Sequence, residues 1–219
     1  MEFALLGWPV DEPRLRLDYR RFSYAGKFIT GKTGIAVVRG DPPETHNEPP
    51  AVDALGSLPD GLDDSAFDDG ILAAVAFTAD RTDPDTLWLR YLTVRADLRG
   101  SGPRLGPRLA VFITEQAAEK GYETARIGVN NVFSYHALYK AGFSYTGRET
   151  GLAELILERP TETQAAVSTS TYHAGLDQFR QREGLSDAET SFLAAHTDAT
   201  PPEVVAVDSG VSNPQRPTE

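Results

Sequence analysis

The chain has 219 residues, with 32 acidic against 21 basic side chains and a formal net charge of −11. That length suits one domain with additions, and 40% hydrophobic residues suffice for a sizeable core. Such a surface is a poor match for nucleic acid, and with no cysteine the chain can hold neither disulfides, nor thiolate metal sites, nor a cysteine nucleophile.

The four histidines (His46, His136, His173, His196) stand at no ligand spacing, so no metal is expected. No apolar run approaches a membrane span and no charged-then-apolar leader is visible, which predicts a soluble, cytoplasmic protein without a membrane partner. Lysine is confined to Lys27, Lys32, Lys120 and Lys140. An acidic, lysine-poor composition resembles the proteomes of salt-loving archaea, where salt screens the self-repulsion of a carboxylate-rich surface.

In chain order, residues 1–12 read as a loose opening segment. Alternation of Leu17, Tyr19, Phe22 and Tyr24 predicts a strand within 15–29, with Gly34 to Val38 as its hairpin partner. Between them Gly26 to Thr33 spells the phosphate-loop pattern Gly-x4-Gly-Lys-Thr. A working phosphate loop must open a helix, whereas the β-branched run after Gly34 leads to Gly40-Asp-Pro-Pro43, so a hairpin turn is expected and a phosphate-loop NTPase is a remote alternative. Residues 41–70, rich in Pro, Asp, Glu and Gly, read as an acidic surface insertion with one short helical turn.

Ile71 to Thr78 and Leu87 to Val94 are the clearest strands, joined by a turn-rich link. The second passes through Arg99-Gly-Ser-Gly102 into an amphipathic helix expected over 103–120. A Gly-rich turn at a helix N-terminus points several backbone N–H groups outward and is a candidate phosphate cradle. Pro107 requires either a distorted first turn or a later start. After a strand at Ala125 to Val129, Asn131 caps a short helix with Phe133, Ala137 and Leu138 on one face, and Gly142 ends it. Runs 143–147 and 151–157 read as a closing pair of strands. Tyr172 to Arg182 and a segment opened by the capping box Ser186-Asp-Ala-Glu189 read as two helices, and the tail from Thr200 as disordered.

Arg99-Gly-Ser-Gly102 and Leu138-Tyr-Lys-Ala-Gly-Phe143 stand in the order and spacing of the two signature motifs of the GNAT-superfamily N-acetyltransferases, and over roughly residues 70–158 the chain resembles that family. The resemblance implies an α/β fold with a mixed central sheet of about six to seven strands and flanking helices. It implies a GNAT domain over 1–160 carrying the 41–70 insertion, followed by a helical appendage at 161–199, suited to cover an apolar face or form a homodimer, and a tail at 200–219. It further implies acetyl-CoA as co-substrate and a primary amine as acceptor. Backbone groups of Leu92, Thr93 and Val94 would pair with the pantetheine arm; Arg99, Gly100, Ser101, Gly102 and Arg104 would ring the pyrophosphate. Asn131 would touch pantetheine or simply cap its helix, and Tyr139 would be the general acid for the departing thiolate, with Tyr135 one turn earlier able to replace it.

Two features depart from the family. Arg104 stands where Gly or Ala is usual, and no helix pair precedes residue 70, where acceptor specificity normally resides. The general base stays open among Tyr91, Arg90, Asp83, Glu149, Glu154 and a water chain. A GNAT-like module that binds acyl-CoA without turnover is the alternative function.

Overall fold

Residues 1–42, 58, 63–100 and 103–205 are described by a computed structural model, and these contain seven strands and four helices. The strands are β1 (Glu2–Gly7), β2 (Gly34–Arg39), β3 (Ile71–Ala79), β4 (Thr86–Val94), β5 (Thr124–Val129), β6 (Ser144–Glu149) and β7 (Leu155–Pro160). The helices are α1 (Leu105–Glu119), α2 (Val132–Lys140), α3 (Thr169–Arg180) and α4 (Asp187–Ala195). All seven strands form one mixed sheet in the order β1-β2-β3-β4-β5-β7-β6. Only β4 and β5 run parallel, joined by α1 as their crossover. This is the expected α/β architecture.

Two expectations for the first third need correction. The opening segment is not loose: Glu2–Gly7 is the edge strand, paired antiparallel with β2. Residues 15–29 form no strand, and their apolar alternation serves a different end. Leu15, Leu17, Phe22, Ala25 and Phe28 are buried against Ile35, Val37, Ala74 and Ala76, so the segment lies across one face of β2 and β3 as an irregular cover. Burial on a sheet demands apolar side chains without demanding a ladder of hydrogen bonds.

The opposite face carries α1, α2 and α3. Leu105, Leu109, Ile113 and Ala117 turn one face of α1 inward. On α2 the buried face is Val132, Tyr135, Leu138 and Tyr139, whereas Phe133 is 46% exposed and meets Phe192 of α4 edge-on. The apolar face expected around Phe133 is therefore rotated. The capping box at Ser186 is present, and Tyr172, Leu176, Phe179 and Leu193 join the same core as α1 and α2. The two C-terminal helices thus share the one core. Beyond them the Val205 N–H donates to the Lys140 carbonyl. Most of the 41–70 insertion and the tail from 206 lie outside the described residues; within the former, Asp64–Ala66 is a single helical turn capped by Asp63.

Candidate functional site

The parallel pair is short. Thr86 to Leu89 register with Thr124 to Ile127, and then the strands part, leaving Arg90 to Val94 of β4 paired on the β3 side alone. The register slips between Ala76↔Tyr91 and Phe77↔Leu89, so Arg90 is the extra residue of a bulge, and a bulge bends its strand. β5, which pairs with β7 along its whole length, goes on to Gly128 and Val129 with β7 as their one partner strand. The result is a V whose β4 wall has no strand paired with Tyr91 to Thr93 on its β5 side.

At the open end of the V stands the N-terminus of α1. Gly106 approaches β4 so closely that a Cβ there would lie 3.3 Å from Val94 Cγ2. α1 begins at Leu105, later than Pro103, because Arg104 takes a left-handed conformation (φ 50) as the cap. This resolves Pro107. It occupies the third helical position, where an N–H would have no helical acceptor, so the ring costs no bond. Gly100 supplies a positive φ of 71 in the turn; Ser101 and Gly102 lie outside the described residues. Arg104, Lys140 and His136 gather here. Burial and the Arg104 charge hold Lys140 below the ordinary lysine value, and burial with Lys140, His196 and Arg104 pushes His136 down to about 4. Mutually repelling cations at the positive end of a helix suit a polyanionic ligand.

Of the other expected contacts, Thr93 is buried and its Oγ1 has no hydrogen-bond partner, while Leu92 and Val94 are half-buried and pack on the core. Arg99 places its backbone N–H on the Ala96 carbonyl at 3.4 Å. Its Nε donates to the Val94 carbonyl at 3.0 Å and its Nη2 to Ser23 Oγ at 2.9 Å, so it ties the covering segment to the end of β4. Asn131 acts as the cap of α2, its Oδ1 accepting from the Ser134 N–H at 2.9 Å.

Tyr139, the expected acid, is buried. The Tyr139 phenol is 1% exposed; its oxygen accepts from the Tyr145 N–H at 3.1 Å and lies 3.2 Å from the Tyr135 oxygen, with the Tyr172 ring packed on it. Tyr145 belongs to β6, two strands beyond β5, and strands are spaced about 4.8 Å apart. The hydroxyl is an internal acceptor under α3, set back from the V. Tyr135 offers no substitute, since it is fully buried, donates to the Tyr172 carbonyl at 3.0 Å, and has its pKa pushed far up by burial and by Tyr139.

On the face opposite the helices, the Glu154 carboxylate lies against Gly128 of β5. Gly128 is the first β5 residue past the last rung to β4, and a Cβ on it would meet Glu154 Oε2 at 3.2 Å, so the carboxylate fills the space a side chain would take. Thr150 Oγ1 donates to the same oxygen at 3.2 Å. Arg182, just beyond α3, donates to the carbonyls of Asn130 and Ala153 and so clamps the Glu154 turn beside the start of α2. The remaining candidates are placed less well. Asp83 accepts from Thr86 Oγ1, Arg90 donates to Thr78 Oγ1, and Glu149 is exposed. Arg126 bridges Asp80 and Glu158 on the same face, below Trp88.

The covering segment forms a hollow on its own face of the sheet. This open hollow of about 550 Å³ is lined by Tyr19, Phe22, Tyr24 and Lys27. Tyr24 lies 5.7 Å from the ring of Tyr91 on the free stretch of β4, and Lys27 Nζ sits 5.7 Å over that ring. Neither the segment nor the Arg182 clamp was foreseeable, because their partners are remote in sequence. At Thr33 the chain enters strand β2, so no helix N-terminus backs the phosphate-loop letters.

No protein-family model matches the chain, and no curated protein matches it. Among solved structures, a putative N-acetyltransferase from Lactobacillus plantarum aligns over 73% of this chain and 97% of its own at 14% identity and a TM-score of 0.45. Nourseothricin acetyltransferase aligns over 73% and 98% at 17% identity and a TM-score of 0.44. The PaiA N-acetyltransferase from Thermoplasma acidophilum, solved with coenzyme A, aligns over 42% of this chain and 54% of its own, at 17% identity and a TM-score of 0.35. This chain thus spans about half the length of that last protein. The site's own geometry carries the functional assignment.

Proposed function

We propose that the chain is an acyl-CoA-dependent N-acetyltransferase acting on a primary amine. The observation that carries this is the V between β4 and β5 opening onto the N-terminus of α1. The edge from Tyr91 to Thr93 would pair with the amide-bearing pantetheine arm, as a strand pairs with an added strand. The first N–H groups of α1 and the cations Arg104 and Lys140 would hold the phosphates. Bound acetyl-CoA supplies an electrophilic thioester carbonyl.

The amine enters from the hollow side, past Tyr24 and Tyr91. Glu154 receives the proton that the ammonium must lose before attack, and Thr150 and the Arg182 clamp hold the carboxylate in place. Direct attack in a ternary complex forms the C–N bond as the C–S bond breaks. The thiolate takes its proton from the attacking nitrogen or from solvent, since the Tyr139 hydroxyl is engaged elsewhere.

That engagement also favours the second reading, an acyl-CoA-binding module without turnover. Calorimetry with acetyl-CoA, run in high salt because of the net charge of −11, tests what both share. A screen of primary amines with detection of released thiol separates them. Absence of binding heat removes both; binding without thiol release from any amine leaves the module.

A further inference from the structure

Lys27 is placed as though it were a substrate. The turn that carries it, Ala25–Phe28, is anchored by the buried side chains of Ala25 and Phe28, by the Leu15 N–H donating to the Phe28 carbonyl at 2.9 Å and by the Lys27 N–H donating to the Tyr24 carbonyl at 2.8 Å. From this turn the Lys27 Nζ reaches over Tyr91, and cations are attracted to such ring faces. Tyr91 lies on the stretch of β4 that has left β5, next to Leu92. The other lysines are elsewhere. Lys120 lies over Trp8 beyond the far end of α1, Lys140 ends α2 on the helical face, and Lys32 is exposed in the turn before β2.

We propose that Lys27 is a self-acetylation site, its amine accepting the acetyl group from acetyl-CoA bound in the V of the same chain. The inference rests on the acetyl-CoA reading above. The Nζ ammonium first gives one proton to solvent; the neutral amine then attacks the thioester carbonyl, the C–N bond forms, the C–S bond breaks, and the second proton passes from nitrogen to the thiolate, giving acetyl-lysine and the free thiol of coenzyme A. No further reactant is required. Acetylation removes the cation from Tyr91 and adds an acetyl group at the rim of the hollow, so modified and unmodified chains would present different acceptor sites.

The test is peptide mass spectrometry of the full chain after incubation with acetyl-CoA, with calorimetry on the same preparation. Lys27 and Lys32 are both exposed, yet Lys27 should be modified roughly tenfold or more faster, because an amine held over Tyr91 reacts at high effective concentration. Its rate should saturate with acetyl-CoA and be independent of protein concentration. Lys27→Arg should bind acetyl-CoA as the parent does and acquire no acetyl group at position 27. If acetyl-CoA binds but the lysines react alike and linearly with its concentration, or if Lys140 leads, the proposal is overturned. A rate at Lys27 that climbs with protein concentration overturns it too, since modification then passes between chains. No binding heat defeats the acetyl-CoA reading as well, and so marks the two failures apart.

Discussion

Tyr135 on α2 and Gly175 on α3 are in contact so close that a Cβ at position 175 would fall inside the van der Waals envelope of the phenol. That missing side chain lets α3 close over Tyr135, whose hydroxyl then donates to the Tyr172 carbonyl. The C-terminal helices join the core through this notch.

Gly175→Ala therefore pits two effects against each other. Alanine in a helix interior gains about 1 kcal/mol over glycine, while overpacking a filled core costs roughly 1–3 kcal/mol. Here the clash is with a ring locked among Tyr139, Tyr172 and Phe179, so a net loss of stability is expected in urea denaturation. The loss should shrink in a Tyr135→Ala background, where the clashing ring is absent, and equal losses in both backgrounds would refute the contact.

Tyr139→Phe removes the acceptor of the Tyr145 N–H. A buried donor left without a partner costs about 1–3 kcal/mol, so a lowered Tm with acetyl-CoA affinity intact is expected. A large fall in turnover at unchanged Tm would instead restore the phenol to the chemistry.

Glu154→Gln keeps the size and the Thr150 contact but removes the proton acceptor. Turnover with any amine found by the screen should drop by about 10²-fold or more, the usual range for general-base loss, with acetyl-CoA affinity unaltered. Raising the pH should restore part of the rate, since more amine then arrives already neutral. A variant as fast as the parent at neutral pH would clear Glu154 of this role.

His136 gives a pH signature. Folded, it is held neutral with a pKa of about 4 by burial and by Lys140, His196 and Arg104, whereas an unfolded histidine titrates near 6.5. Between those values the unfolded chain binds a proton that the folded chain refuses, so this contribution is complete above about 6.5 and is lost as pH falls toward 4. His136→Gln should flatten that part of the stability curve in denaturation series at pH 4.5, 5.5 and 7.5. An unchanged slope would show that His136 does not titrate abnormally.

Much of the site's frame was legible because its signals are local. The Gly-rich turn, the cap at Asn131, the glycine stop at Gly142 and the capping box at Ser186 each involve residues within a few positions of one another. Failures came where burial and pairing give the same pattern. The alternating residues 15–29 cover a sheet instead of joining one, and Glu2–Gly7 looked unstructured because its partner β2 lies some thirty residues away.

Tyr139 shows the limit most clearly. Its place in the motif could be read from letters, but the direction of its hydroxyl depends on Tyr145, Tyr135 and the Tyr172 ring, the last of which arrives with α3. The amino-acid order alone determined the strands β3 to β5, the helices between them, and the turn where a phosphate could rest, since these follow from periodicity and backbone chemistry. Tertiary structure decided which side chains meet at the V: Glu154 over Gly128, Lys27 over Tyr91, Arg182 across two turns. Such contacts join positions tens of residues apart, and only packing of the whole sheet and its covers settles them.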